Sequence, residues 1–182
     1  MKVLQYSFVV LPKLDNEEEI QRLRERYDPW FYQIRPYIPI VSPFAPATLE
    51  EMQNVSDYIS RARRKLHPIA VSFHQWMASG GRLFFVIEKG RKELLDLRRN
   101  LQGCDTFSLV EDIESEPRLV VGRVPDSERR SQALIEANRI GQTLGIVDSF
   151  YLIGIEPSDE LKLFASYPFG IGRVDYYDRF HI

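Results

Sequence analysis

The sequence predicts an α+β fold made of two copies of one unit, a bilobal arrangement of antiparallel sheets with helices outside and a central cleft. Two stretches carry this prediction, residues 35–44 and 117–124. Each contains proline followed by Tyr or Arg and then apolar residues, and each precedes a helix pattern and an apolar hairpin pattern. Pro36 and Pro117 lie 81 residues apart (117 − 36), and Ser72 and Ser149 of the hairpins lie 77 apart (149 − 72). This small drift is typical of duplication with loop trimming.

Length and composition favour one domain. The chain has 182 residues, 44% hydrophobic and 27% charged, which is enough for one sizeable core. We expect a single domain over residues 1–182, with lobe one at about 1–101 and lobe two at about 102–182. The net charge of -2 provides no positive field for nucleic acid, so any phosphate must be recognised by a local cluster of arginine or lysine.

Cysteine content and hydropathy bound the environment of the protein. Cys104 is the single cysteine, so it has no partner for an internal disulfide and no metal-ligand spacing around it. The first residues lack the apolar core of a signal peptide, and no apolar run reaches the roughly 18 residues of a membrane span. We therefore expect a cytoplasmic protein with no cofactor, no metal and no membrane partner. The oligomeric state is left open.

The first half of the chain predicts strands and helices in alternation. Residues 3–11 are apolar up to Pro12 and indicate a strand. Asp15 and Glu18 have the spacing of a capping box, which predicts a helix that ends near Asp28. Residues 37–41 indicate a short strand between prolines. Thr48 and Glu51 form a second capping box and open an amphipathic helix.

Hairpins and further helices complete the pattern. Strands 69–77 and 82–88 are expected to turn at Gly80 and Gly81, because glycine accepts the positive φ of a tight turn. Residues 92–101 have the apolar period of a helix. After the second proline motif, Asp126 or Ser127 is expected to cap a helix through about residue 140. Residues 146–155 and 161–167 then indicate a second hairpin.

The two motifs resemble those of the 2H phosphoesterase superfamily, which includes the bacterial 2′-5′ RNA ligases and RNA cyclic phosphodiesterases. That family has a His-X-Thr/Ser motif in each half, and Gly-Arg often follows the second copy. This chain has Tyr37-Ile-Pro39 at the first position and Arg118-Leu-Val120 at the second, followed by Gly122-Arg123. The resemblance implies the family's fold and cleft, in a degenerate member that lacks both histidines and both hydroxyls.

This substitution has a chemical consequence. In the family one imidazole acts as general base and the other as general acid on a 2′,3′-cyclic phosphate or a 2′-5′ linkage, while the hydroxyls hold phosphate oxygens. Tyrosine titrates near pH 10 and arginine stays protonated, so neither Tyr37 nor Arg118 replaces histidine at neutral pH. We expect the usual mechanism to be lost and no residue to be catalytic in the family's way.

Strand alternation selects the residues that face the cleft. It directs Tyr37, Pro39, Arg118 and Val120 into the cleft and the apolar residues between them into the core. Six residues are candidates for ligand binding: Tyr37, Arg118, Arg123, His74, Tyr151 and Tyr6. Of these, His74 is expected on the cleft side of its strand, Tyr151 is its counterpart under the repeat, and Tyr6 matches a cleft aromatic of the family.

Three functions remain open from the sequence. The first is a non-catalytic protein that binds a nucleotide, an RNA end or another phosphorylated small molecule through Tyr37, Arg118, Arg123 and His74. The second is an active phosphoesterase with a rearranged site, in which His74 is the base and Arg118 clamps the transition state. The third is a protein-interaction domain whose cleft is filled, with Arg118 paired to a glutamate such as Glu116.

Overall fold

The computed structural model describes residues 5–102, 116–158 and 160–179. Its ten strands form two antiparallel sheets of five strands. The first sheet has the order β10 (Asp175–Tyr176), β9 (Leu161–Pro168), β8 (Ser149–Ile155), β1 (Gln5–Val10) and β3 (Ile38–Pro39). The second has the order β2 (Lys13–Leu14), β7 (Thr143–Val147), β4 (Ile69–Ser79), β5 (Arg82–Lys89) and β6 (Arg118–Arg123). The predicted α+β class with antiparallel sheets is confirmed. Cys104 and the first two residues of the strand predicted at 3–11 lie outside the described residues.

Four α-helices occur in the described part of the chain: α1 (Glu17–Tyr27), α2 (Leu49–Ala62), α3 (Arg91–Gln102) and α4 (Ser127–Ala137). Each contributes apolar side chains to the main core, for example Ile20 of α1, Met52 of α2, Leu94 of α3 and Ala133 of α4. We call the helix-packed face of each sheet its outer face, and the opposite face its inner face. Among the described helices, none is long and apolar enough to cross a membrane.

Helix caps follow the local sequence at two of the three predicted places. The Thr48 hydroxyl accepts a hydrogen bond from the Glu51 N–H at 3.1 Å, and the Asp126 carboxylate caps α4. The capping box predicted at Asp15 is wrong. Asn16 is the N-cap of α1 and makes no side-chain cap, whereas Asp15 Oδ1 accepts a hydrogen bond from the Leu144 N–H at 3.0 Å. The Asp15 carboxylate therefore ties the start of α1 to β7.

The first predicted hairpin is present, and glycine explains its turn. Gly80 and Gly81 connect β4 to β5 with φ of 54° and 76°. Consecutive residues at positive φ are the signature of the tight turns that suit twisted hairpins. The second predicted hairpin is β8 with β9, but residues 146–147 belong to β7 of the other sheet.

The two sheets do not follow the expected lobe boundary at 101/102. Each sheet takes strands from both halves of the chain. The reason is strand pairing between the halves: in the second sheet β4 pairs with β7 and β5 with β6, and in the first sheet β1 pairs with β8. The sheets therefore interlock the two repeats, and the sequence halves are not separate lobes.

Candidate functional site

The two motif strands meet at one residue pair. The Tyr37 N–H donates to the Val120 carbonyl at 3.1 Å, and the Val120 N–H donates to the Tyr37 carbonyl at 2.8 Å. β3 and β6 are edge strands of different sheets, so this exchange joins the two sheets. Beneath it, the side chains of Ile38 and Leu119 have no exposed surface.

The register of this pair reveals a local twofold axis. In an antiparallel pair with Tyr37 opposite Val120, Pro39 comes opposite Arg118. An axis between Ile38 and Leu119 then exchanges Tyr37 with Arg118 and Pro39 with Val120. These are the same pairs that the two proline motifs align by sequence. The alternation predicted for the motifs also holds on the outer side, because Ile38, Ile40, Leu119 and Val121 are all buried in the main core.

Three arginines lie on the inner face of β5 and β6. Arg118 is opposite Val86, and its guanidinium lies 5.6 Å from the centre of the Phe84 ring. Arg123 is directly opposite Arg82. Over five residues, strict alternation would send Arg118 and Arg123 to opposite faces, but a bulge in the β5–β6 pairing restores Arg123 to the inner face. At about 3.3 Å per residue, the two arginines of β6 are separated by roughly 16 Å along the strand.

Arg123 is covered by the segment between α1 and β3. Its guanidinium lies 4.5 Å from the centre of the Trp30 ring and donates from Nη2 to Gln33 Oε1 at 2.9 Å. The sequence match to the family's Gly-Arg therefore identifies a residue with defined inner-face contacts. Neither Trp30 nor Gln33 could be assigned to this position from the sequence, because they belong to a connection without a regular period.

Tyr37 connects the arginines to an apolar surface of the first sheet. Its side chain packs against a small cluster formed by Val9, Leu11 and Ile153, which is separate from the main core. Burial raises the pKa of the Tyr37 hydroxyl above its ordinary value of 10.0, although the positive charges of Arg82 and Arg123 act in the opposite direction. The hydroxyl is therefore protonated at neutral pH and can donate a hydrogen bond.

A buried ion pair supports this region. Arg24 Nη2 lies 3.3 Å from Asp28 Oδ2, and the two side chains are only 4% and 5% exposed. Arg24 Nη2 also donates to the Ile34 carbonyl at 2.6 Å. Burial lowers the pKa of Arg24, and the neighbouring Asp28 carboxylate opposes this shift. In the sequence, the i, i+4 spacing of Arg24 and Asp28 is consistent with an ion pair on a helix. The same spacing is common on exposed helix surfaces, so it does not indicate that the pair is buried.

His74 occupies a β-bulge. The register of β4 against β5 shifts between Phe73 and Gln75, so His74 is the extra residue and is exposed. The sequence prediction used simple alternation along the strand to place His74 on the cleft face. The bulge interrupts that alternation at His74, so the argument for this placement is wrong. Within the described residues His74 makes no hydrogen bond or ion pair. Its strand, β4, is separated from the motif strand β6 by β5.

The expected equivalence of His74 and Tyr151 also changes. Trp76 aligns across β5 with Leu119, whereas Phe150 aligns across β1 with Ile38. The local twofold axis therefore relates Phe150 to Trp76, and Tyr151 to Met77. Tyr151 itself lies on the inner face, partly buried against the same apolar cluster as Tyr37.

Two other expectations are corrected by packing. Tyr6 is 1% exposed on the outer face of β1, where its ring contacts Phe164 at 5.3 Å, so it belongs to the core and not to a cleft. Glu116, the example given of a glutamate partner for Arg118, pairs with Arg91 instead. Its carboxylate accepts from Arg91 Nε at 2.7 Å and Nη2 at 2.5 Å, which is a bidentate pair that lowers the pKa of Glu116.

Two cavities flank the segment between α1 and β3. A cavity of about 10 Å³, enough for about one water molecule, lies among Arg24, Tyr37 and Arg123. A wider groove of about 780 Å³ lies on the α1 side and is lined by Glu17, Glu18 and Glu25 as well as by Tyr32. Two arginines of this groove already pair with its glutamates: Arg35 with Glu17 at 3.4 Å and Arg22 with Glu18 at 3.9 Å. The groove therefore does not favour an anion. No group of three or more metal-ligating side chains occurs within the described ranges.

Comparison with known proteins identifies the family. The family model of the 2′-5′ RNA ligase superfamily matches residues 12–143, a range that includes both motif strands. The chain belongs to the 2′-5′ RNA ligase superfamily, within the 2H phosphoesterases. The resemblance to this family that the two proline motifs predicted is therefore confirmed. No curated protein matches the chain by sequence.

Solved structures of 2H phosphoesterases share this fold at low sequence identity. Escherichia coli LigT complexed with NADP⁺ is 13% identical and has a TM-score of 0.60, over 93% of this chain and 99% of LigT. A phosphoesterase crystal structure is 12% identical with a TM-score of 0.56, over 92% and 99%. Kluyveromyces marxianus Usb1 is 10% identical with a TM-score of 0.58, over 92% and 98%. At these identities the likeness shows the fold alone.

Proposed function

We propose that this 2H phosphoesterase family member binds a nucleotide, an RNA end or another phosphorylated small molecule in the cleft, without the acid–base catalysis of its family. The observation that carries the proposal is the inner face of β5 and β6, which carries Arg82, Arg118 and Arg123, with Tyr37 beside Arg123 in the same small cavity. Guanidinium groups bind phosphate oxygens in pairs of charge-assisted hydrogen bonds. The chain has a net charge of -2, so this local cluster is the feature that favours an anion.

Relatives with the same fold support a nucleotide as the ligand class. Escherichia coli LigT has been crystallised with ATP and with 3′-AMP. In this chain Tyr37 and Tyr151 are partly exposed aromatic side chains on the inner face of the first sheet, and a base can stack on such rings. The arginines and these aromatic rings together suit a ligand with both phosphate and base.

The residues at the two motif positions argue against acid–base catalysis. An acid–base pair needs two groups that titrate near neutrality on opposite sides of the phosphorus. Burial raises the pKa of Tyr37 further from neutrality, and arginine at position 118 does not deprotonate. A rearranged active site that uses His74 is the rival enzymatic hypothesis. The third hypothesis, a protein-interaction domain with a filled cleft, is favoured by the small volume of the cavity beside Tyr37, about 10 Å³.

The test is a paired assay on the purified protein. A panel of 2′,3′-cyclic nucleotides and 2′-5′-linked oligonucleotides is assayed for hydrolysis, and thermal shift is measured with these compounds, ATP and 3′-AMP. We expect stabilisation without turnover. Turnover that is lost in His74→Ala would overturn the proposal in favour of a rearranged active site. Neither turnover nor stabilisation would favour the interaction domain.

Substitution of Arg118 locates the ligand. Arg118→Ala is expected to weaken anion binding by about 1.5–3 kcal/mol if the guanidinium contacts the phosphate. Arg99→Ala is the matched control, because Arg99 lies on α3 and its side chain is 74% exposed. Equal affinities of the two variants for the ligand would show that Arg118 does not contact it.

Restoring the family's residues tests the loss of catalysis directly. A variant with Tyr37→His, Pro39→Thr, Arg118→His and Val120→Thr is expected to gain some cyclic phosphodiesterase activity, because the twofold axis relates the two restored motifs. Circular dichroism and thermal unfolding establish that the variant is folded. A folded but inert variant would contradict the view that motif loss alone removed the activity.

A further inference from the structure

One side-chain oxygen accepts hydrogen bonds from both sheets. Gln33 Oε1 accepts from Arg123 Nη2 of β6 at 2.9 Å and from the Leu161 N–H of β9 at 3.0 Å. β6 and β9 belong to different sheets, so Gln33 bridges their inner faces. A guanidinium N–H and a backbone N–H that converge on one oxygen form the kind of donor set that binds an oxyanion.

A second arginine strengthens the preference of this position for negative charge. Arg82 is directly opposite Arg123 in the antiparallel pair, and like charges in that arrangement destabilise a sheet. Arg82 is exposed and, across the ranges that the structure describes, has no carboxylate partner. Tyr37 lines the same small cavity as Arg123, and the positive charges of Arg82 and Arg123 both oppose the rise in the pKa of Tyr37. A neutral amide oxygen therefore accepts from one cationic donor, Arg123, and one backbone N–H, with a second arginine opposite Arg123 on β5.

The segment that delivers Gln33 is anchored at both ends by the buried ion pair. Asp28 Oδ1 accepts a hydrogen bond from the Trp30 N–H at 2.9 Å, and Arg24 Nη2 donates to the Ile34 carbonyl at 2.6 Å. Between these anchors, the Gln33 N–H donates to the Trp30 carbonyl at 3.0 Å. The turn from residue 30 to 34 is thus a compact element that holds the Gln33 side chain against Arg123.

We propose that Gln33 Oε1 occupies the position of a phosphate oxygen of the ligand, so that Gln33 is a built-in competitor that a phosphorylated ligand must displace. This inference rests on the proposed function and adds a regulatory element to it. The turn at residues 30–34 closes the site when no ligand is present. Displacement of Gln33 releases the Arg123 and Leu161 donors to the phosphate, and Arg82 is the adjacent cation that the second oxygen meets.

The first experiment needs no ligand. Gln33→Glu puts a carboxylate of the same shape at the oxyanion position, and charge-assisted hydrogen bonds are about twice as strong as neutral ones. We expect the Tm at pH 7 to rise by about 2–4 °C. Gln132→Glu, on the exposed side of α4, is the control for a change in net charge. A Tm of Gln33→Glu that is equal to or below that of Gln132→Glu would overturn the inference.

The second experiment measures competition by calorimetry with inorganic phosphate and 3′-AMP. Gln33→Ala is expected to bind 3′-AMP about tenfold more tightly than the unmodified protein, Gln33→Glu more weakly, and Gln33→Ala with Arg123→Ala without the gain. Binding that is equal in the unmodified protein and Gln33→Ala would overturn the competitor role. If no variant binds either probe while Gln33→Glu is stabilised, the proposed function fails and the oxyanion position stands.

Discussion

Tyr37 and Val120 exchange two backbone hydrogen bonds, and this single pair joins the edge strands of both sheets. An exposed sheet edge is a site where another chain can pair, so joining β3 to β6 protects both edges at once. The same pair sets the local twofold axis between Ile38 and Leu119. Tyr37 and Arg118 therefore occupy equivalent positions in the two repeats, although one is aromatic and the other cationic.

The ion pair of Arg24 and Asp28 predicts a large loss of stability when it is broken. Asp28→Ala leaves the Arg24 guanidinium buried without its carboxylate and removes the acceptor of the Trp30 N–H. We expect the free energy of unfolding to fall by about 3–5 kcal/mol. Chemical denaturation followed by tryptophan fluorescence measures this loss. Glu18→Ala breaks the exposed pair with Arg22 and is expected to cost at most about 0.5 kcal/mol. Similar losses in the two variants would mean that the Arg24 and Asp28 pair is not buried.

Gly154 predicts a steric cost in the core of the first sheet. A Cβ atom at this position would lie 2.5 Å from Cε2 of Phe164, whose side chain is fully buried. Gly154→Ala is therefore expected to reduce the free energy of unfolding by about 1–3 kcal/mol, because the ring must shift. Gly141→Ala has open space around the new methyl group and is expected to change the stability by about 0.5 kcal/mol or less. Thermal unfolding of both variants measures the difference. Equal stabilities would mean that the Phe164 ring moves to accommodate the methyl group without cost.

The N-cap of α2 predicts a smaller, local effect. The Thr48 hydroxyl satisfies the Glu51 N–H, which has no partner within the helix. Thr48→Ala is expected to cost about 1 kcal/mol, whereas Thr48→Ser keeps the hydroxyl and is expected to stay within a few tenths of a kcal/mol of the unmodified protein. Urea denaturation of the two variants provides the comparison. Equal destabilisation by serine and alanine would point to the threonine methyl group and not to the cap.

Two tyrosines predict a loss of stability at alkaline pH. Burial raises the pKa of both Tyr37 and Tyr167 above the ordinary value of 10.0, so the folded protein holds these protons more tightly than the unfolded chain. This contribution is complete below about pH 10, and it is lost as the pH rises further, because the unfolded chain then loses its protons first. We expect the free energy of unfolding to fall between about pH 9.5 and 11, a range around the ordinary tyrosine pKa of about 10.

Phenylalanine variants isolate the tyrosine contribution. Tyr37→Phe and Tyr167→Phe are each expected to flatten the decline with pH, since phenylalanine has no proton to lose. The pKa of Lys13 is raised by its hydrogen bond with Asp148, and deprotonation of Lys13 weakens that pair in the same direction in every variant. Identical pH profiles for the unmodified protein and both variants would show that neither hydroxyl is desolvated in solution.

The sequence predicted most of the elements and part of the site. The turn at Gly80 and Gly81, the caps at Thr48 and Asp126, and the end of α1 near Asp28 all depend on residues within a few positions of one another. The motif positions Tyr37 and Arg118 followed from the repeat and from strand alternation. These signals are local, or they recur at a fixed spacing, so the chain itself carries them.

Only the tertiary structure decided how these parts meet. The bulge that exposes His74 arises in the pairing of β4 with β5, and the bulge that turns Arg123 inward arises in the pairing of β5 with β6. Gln33 reaches Leu161 across 128 residues of sequence. Bulges and bridges of this kind depend on the partner strand, whose register is set by the packing of the whole core. The residue pattern of one strand does not contain that information. The residues that form the site can therefore be identified only from the tertiary structure.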